Sequence, residues 1–184
     1  MPTNNRMNCM VPNFRDVGMT VNALAGTELM KPQTLYRGGS IWTVSKPSEI
    51  ANIRTIMNLT RGGDPSIPKT QQVHVPAPHS VDIYAMNKGH NLKWIASVLE
   101  ALTSEELQLP VLVHCVAGKD RTGLVIAAVL VLCGVPEEVI EKDYLTSSGT
   151  LEPAKFKLAL KEMTHPNFLG KKRPSGLIER YGLS

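Results

Sequence analysis

Cys115 and Arg121 are separated by five residues in HCVAGKDRTG (114–123), Gly118, Lys119 and Asp120 among them. A thiol becomes a strong nucleophile only as the thiolate, and neighbouring cations or the start of a helix favour that form. A loop of this length can wrap back on itself and aim the backbone N–H groups of residues 116–121 at one point above the sulfur, as an anion nest does. Gly118 permits the positive φ that such a wrap requires. Arg121 supplies a planar fork that fits two oxygens of a phosphate. The pattern predicts a phosphate cradle formed by Val116, Ala117, Gly118, Lys119, Asp120 and Arg121, with Cys115 as the nucleophile at its floor.

The flanking residues must hold that loop at a strand end and a helix start. PVLVHC (110–115) reads as a strand, and TGLVIAAVLVLCG (122–134) reads as a helix closed by Gly134. Upstream, QQVHVPA (71–77) is a short strand, and HNLKWIASVLEALTS (90–104) places Leu92, Ile95, Leu99 and Leu102 at helical spacing. Pro136 and Pro153 open two further helices, PEEVIEKDYLTSS and PAKFKLALKEM. The N-terminal third is rich in turn formers around strand-like TLYR and IRTIMNL, which predicts irregular strands there. Strands alternating with helices predict an α/β fold with a mostly parallel central sheet flanked by helices and covered on both faces. In such sheets ligands bind at the carboxyl ends of strands, where helix starts present free N–H groups.

Composition limits the partners. The chain has 184 residues, 42% hydrophobic, which suits one core and predicts a single domain over 1–184. A net charge of +4 with few aromatics and no long Lys/Arg block favours a small anionic substrate over nucleic acid. Three cysteines without a CxxC pair support neither a disulfide framework nor a zinc site, so reduced thiols and no metal are expected. No segment approaches the roughly 18 consecutive apolar residues of a spanning helix, and MPTNNRMNCMVPNF holds no apolar leader. A cytoplasmic monomer is expected, although secretion without a leader would leave no mark in the sequence.

HCVAGKDRTG matches the His-Cys-x-x-Gly-x-x-Arg-Ser/Thr signature of the cysteine-dependent phosphatases. With NFRDVG (13–18), LYRGGSI (35–41) and DYLTSS (143–148), the chain resembles the bacterial atypical tyrosine and dual-specificity phosphatases, whose loop reads AGKDRTG. The resemblance implies a tyrosine-phosphatase-like fold, no cofactor and a phosphocysteine intermediate. Cys115 would attack phosphorus in line, and Arg121 and the loop amides would hold the transition-state oxygens. Thr122 would stabilise the departing thiolate, and His114 would position the loop by hydrogen bonding rather than act as a base.

Such a reaction needs a general acid for the leaving oxygen. Asp82, 33 residues before Cys115, lies where the resemblance puts the acid and is the first choice; Asp120 in the loop and Asp64 in RGGDPS are the alternatives. Other residues have plainer readings. Cys133 fills the core and Cys9 belongs to the tail, while His74, His79 and His90 have no metal spacing and make surface hydrogen bonds. Arg15 and Asp16 tie down a turn, Arg37 pairs a buried carboxylate, and KEMTHPNFLGKKRPSG (161–176) is a solvated basic tail, with at most peripheral membrane contact. Three functions fit: a phosphotyrosine phosphatase that extends to phosphoserine and phosphothreonine, a phosphoinositide or inositol phosphate phosphatase in which Lys119 meets a second phosphate, and a non-catalytic phosphate-binding module. A sulfurtransferase ranks below these, since its chemistry needs neither the His-Cys pair nor Arg-Thr-Gly.

Overall fold

The computed structural model describes residues 11–183. Cys9 lies outside the described residues. Among the described residues five short strands form one sheet: β1 (Arg15–Asp16), β2 (Leu35–Gly38), β3 (Thr55–Asn58), β4 (Gln71–His74) and β5 (Val111–His114). Their spatial order is β1-β2-β5-β3-β4, with β1 antiparallel to β2 and every other pairing parallel. β5 therefore runs down the middle, with Leu35 and Thr55 on either side of Val111. All four of its residues are buried, which is why its sequence is an unbroken apolar run up to His114.

Alternation along the strands divides the core in two. Leu35, Met57, Val111 and Val113 face one cluster, and Tyr36, Ile56 and Leu112 face the other. The helices are α1 (Val17–Ala25), α2 (Gly89–Thr103), α3 (Asp120–Leu132), α4 (Glu137–Leu145), α5 (Pro153–Met163) and α6 (Leu177–Tyr181). Their buried apolar residues all belong to the first cluster. The second is covered by the irregular stretch carrying Ile41, Val44, Ile50 and Ile53, with one 3₁₀ turn at Pro47–Ile50. The sheet is thus covered on both faces as expected, but the α-helices share one of them.

α3 sits at the centre of the helical layer, against α2, α4, α5 and α6. Every residue from Thr122 to Leu130 is buried, so its surface is apolar all round. Each Leu, Ile or Val so enclosed contributes about 1.5–3 kcal/mol. That burial fixes the start of α3, and with it Asp120 and Arg121, directly after β5.

Two expectations need correction. The N-terminal third holds a helix, α1, capped by Asp16 through Met19 N and closed by Gly26 in the left-handed region. Gly18 inside it marks no turn: a Cβ there would lie 2.4 Å from the Lys31 carbonyl, so the glycine serves close backbone packing. The stretch read as a solvated basic tail keeps Lys171, Lys172 and Arg173 exposed but is docked through Met163, Phe168 and Leu169, and α6 after it through Leu177 and Tyr181. Arg180 donates to the carbonyls of Ser104 and Leu107, and Tyr181 to that of Leu102, clasping the end of α2. Among the described residues no helix is long and apolar enough to cross a membrane.

Candidate active site

The loop between β5 and α3 has its carbonyls turned outward. Cys115 O lies 3.2 Å from His114 Nδ1, Val116 O accepts from Ser40 N at 2.8 Å, Ala117 O from Asn13 Nδ2 at 2.8 Å and Gly118 O from Arg37 Nη2 at 3.2 Å. In a trans peptide the N–H points opposite to the C=O. Four bonded outward carbonyls therefore turn the next four amides inward, over the end of β5. Gly118 has φ +68°, as its place in the loop predicts. A Cβ on it would come within 2.5 Å of Gly38 C and 2.6 Å of Gly39 N, so backbone packing as well as φ demands glycine there.

The clamp from outside is ionic and buried. Arg37, with no solvent exposure, reaches Asp143 Oδ2 at 2.5 Å, and Arg15 Nε reaches Asp143 Oδ1 at 3.1 Å. Ser147 Oγ accepts from both arginines. Burial, then the neighbouring Arg37 charge, lowers the proton affinity of Arg15, and Asp143 opposes both. The expectation that Arg37 pairs a buried carboxylate holds. Asp16, besides capping α1, accepts from Gln33 N at 2.6 Å and so ties the connection between α1 and β2.

Cys115 is 2% exposed and lines a cleft of about 650 Å³ at the carboxyl end of the sheet. Val116, Arg121, Asp120, His114 and Asp64 share that lining. Exposed Trp42 contributes to the same lining, as do Arg61 and Ser80. Arg121 has no bonded partner among the described residues, so its fork is available to an anion. Thr122 is fully buried, its hydroxyl 3.4 Å from the Gly38 carbonyl. His114 is engaged on both edges, by the Cys115 carbonyl and by Asp64 Oδ2 at 2.7 Å.

The aspartates are arranged differently from the expectation. Asp82 does not line the cleft; it lines a separate groove with Lys155, Leu158 and Glu162, and its carboxylate accepts from Tyr84 N at 3.0 Å. The cause is Asn91, fully buried, whose Nδ2 donates to the carbonyls of Asp82, Ile83 and Ala85 and fixes the loop with Tyr84 inward. Asp64 is anchored to His114, its side chain only 6% exposed. Asp120 is the carboxylate of the loop itself that lines the cleft. Lys119 also departs from the expected role: its ammonium bonds the Thr150 carbonyl, away from the cleft, and lies 4.0 Å from Asp120. Its backbone still belongs to the cradle.

Sequence reasoning missed Tyr84 and Tyr144. Tyr84 OH donates to Asp120 Oδ1 at 2.5 Å and lies 2.8 Å from Tyr144 OH, which accepts from Glu152 N at 3.0 Å. DYLTSS marked the neighbourhood of Tyr144, but nothing in the sequence pairs a lone tyrosine of the 75–88 connection with it. The surface histidines are hydrogen-bonded as expected: His74 to the Thr60 carbonyl, His79 to Arg61 and His90 to Ser80.

A strand-loop-helix cradle with a buried cysteine at its floor and an arginine at the helix start defines the class of site that cysteine-dependent phosphatases use. The model of the tyrosine phosphatase family matches residues 9–172, and the chain belongs to that family. The triple specificity protein phosphatase PtpB of Mycobacterium tuberculosis is 27% identical over 203 residues, covering 85% of this chain and 73% of the relative. A tyrosine-protein phosphatase of Nostoc commune is 34% identical over 83 residues, covering 45% of this chain and 28% of the relative. The core catalytic domain of the PP-IP phosphatase SIW14 from S. cerevisiae has a similar fold, with TM-score 0.56 at 16% identity over 89% of this chain and 95% of that one.

Proposed function

We propose that the cleft hydrolyses phosphate monoesters, phosphotyrosine first and phosphoserine or phosphothreonine second, through a phosphocysteine. The observation that carries this reading is the outward bonding of four successive loop carbonyls, which leaves their partner amides converging where phosphate oxygens would sit. The Cys115 thiolate attacks phosphorus, forming S–P as the ester P–O bond breaks, and Asp120 gives its proton to the leaving oxygen. Water then attacks the phosphocysteine and gives its proton to Asp120, releasing phosphate and the thiolate. Arg121 binds two equatorial oxygens through both steps. Thr122, held only by a long contact to Gly38, stabilises the departing thiolate, and His114 holds the loop through Asp64.

Phosphotyrosine comes first because Trp42, 70% exposed in the lining of the cleft, offers an aromatic face to an aryl ester. Relatives named as triple-specificity and tyrosine-protein phosphatases agree with this. The phosphoinositide alternative ranks second because Lys119, the cation that suggested it, bonds the Thr150 carbonyl. The same proposal takes residues 1–184 as one phosphatase domain, monomeric and cytoplasmic. The test is kcat/KM on matched phosphotyrosine and phosphoserine peptides and on phosphoinositides, for the natural sequence and for Asp120→Asn and Asp82→Asn. Phosphotyrosine should be turned over fastest, and only Asp120→Asn should lose more activity as the leaving group becomes more basic. A faster phosphoinositide reaction, or the leaving-group signature in Asp82→Asn instead, overturns the assignment.

A further inference from the structure

We infer that Tyr84, backed by Tyr144, is a positioning residue that fixes which oxygen of Asp120 carries the catalytic proton. The inference rests on the reading of Asp120 as the general acid. Each phenol owns one hydrogen. Asp120 Oδ1, 2.5 Å from Tyr84 OH, takes the Tyr84 hydrogen, so the 2.8 Å contact between the phenols must use that of Tyr144. The Glu152 amide then fills the Tyr144 oxygen at 3.0 Å. The chain runs in one direction, from the Glu152 N–H through Tyr144 and Tyr84 to Asp120, and each donor polarises the next.

Both phenols are buried, at 7% and 1% exposure, and the Tyr144 ring stacks on Phe156 with centroids 3.9 Å apart. Burial first, then the bonds to Asp120 and Tyr144, raises Tyr84 far above the ordinary phenol range, so it stays a donor at any working pH. With Oδ1 occupied, the transferable proton of Asp120 is confined to Oδ2. Once that proton has gone to the leaving oxygen, the donated Tyr84 hydrogen meets a full negative charge and holds the carboxylate ready to accept a proton from water. The other charged groups near Asp120 are Lys119 at 4.0 Å and Arg121, the next residue of α3. Across the cleft stand Cys115, His114, Asp64 and Arg61. Of these only Lys119 pairs with Asp120, at the long distance of 4.0 Å, whereas Tyr84 donates to it at 2.5 Å.

The experiment is the pH profile of kcat/KM on phenyl phosphate and on 4-nitrophenyl phosphate, for Tyr84→Phe, Tyr144→Phe and Asp120→Asn. Both phenylalanines keep the rings, and Tyr144→Phe keeps the stack on Phe156. Removing the Tyr84 donor destabilises the carboxylate form, so the alkaline limb in Tyr84→Phe should move up by about one pH unit. Tyr144→Phe should move it the same way by less. An unmoved limb in Tyr84→Phe, with a rate lowered equally at every pH, overturns the inference while Asp120 stands as the acid. A loss in Asp120→Asn that is the same on both leaving groups overturns the acid assignment itself, and the inference with it.

Discussion

Asp143→Asn tests the brace that shapes the catalytic loop. Asparagine has the volume of aspartate, so no cavity forms and the change is one of charge. The natural carboxylate, 2% exposed, faces Arg37 with no exposure and Arg15 with 12%. Were this pair on the surface, its loss would cost no more than about 1 kcal/mol. Here two guanidiniums are left enclosed without an anion, and breaking a buried pair costs about 3–5 kcal/mol. Ser147 Oγ and the carbonyls of Gly118 and Asp143 still accept from them, which argues for the lower end, about 3 kcal/mol. Against a total stability of about 5–15 kcal/mol, that is a large fraction. With a urea m-value of about 1–3 kcal/mol per molar, the unfolding midpoint should fall by roughly 1–3 M. Because Arg37 also holds the Gly118 carbonyl, kcat should fall by about tenfold to a hundredfold under conditions where the variant is fully folded. Adding Arg37→Met should restore part of the stability by removing one stranded charge. A midpoint within about 0.3 M of the natural sequence, with kcat unchanged, would refute the reasoning.

Cys115→Ser should abolish turnover while vanadate binding, followed calorimetrically, stays near that of the natural sequence, because the amide cradle survives and the nucleophile does not. Arg121→Lys keeps the charge and loses the fork, so kcat should drop by roughly two orders of magnitude; a loss confined to KM would reduce Arg121 to a binding group. Gly118→Ala forces a side chain into a positive-φ position and against Gly38 and Gly39, and should lower kcat by about a hundredfold or more in steady-state turnover. Burial pushes the Cys133 thiol up to about 11, so iodoacetamide at pH 7 should leave it unmodified in the folded protein, with labelling rising only toward pH 11 by mass spectrometry.

The parts of the fold legible in the sequence are those where burial and periodicity agree. β5 and α3 are apolar enough to be read as elements, and the Cys-to-Arg spacing between them is set by the loop itself. α1 was hidden by Gly18, whose role is contact with the Lys31 backbone, a long-range fact that local turn statistics misread. The docking of Phe168, Leu169 and Tyr181 escaped notice because the 3₁₀ turn at Gly170–Lys172 and the five-residue α6 are too short to show a period. Asp82, expected beside Cys115, lines the neighbouring groove instead for a similar reason. Whether Asp82 or Tyr84 turns inward is decided by three bonds from the Asn91 side chain, and nothing in the local sequence announces them.

The braces on the loop come from far along the chain in both directions: Asn13, Arg37 and Ser40 lie well before it, and Asp143 and Ser147 well after. A chain emerging amino-terminus first can make β2 and β3 early, but neither meets β5 until the intervening residues have followed, and the last anchor is later still. Catalytic competence is therefore a late event in the birth of the molecule, reached when distant ends have closed around the cysteine. A nascent or truncated chain that stops short of Asp143 carries the thiol without the frame that would make it an enzyme.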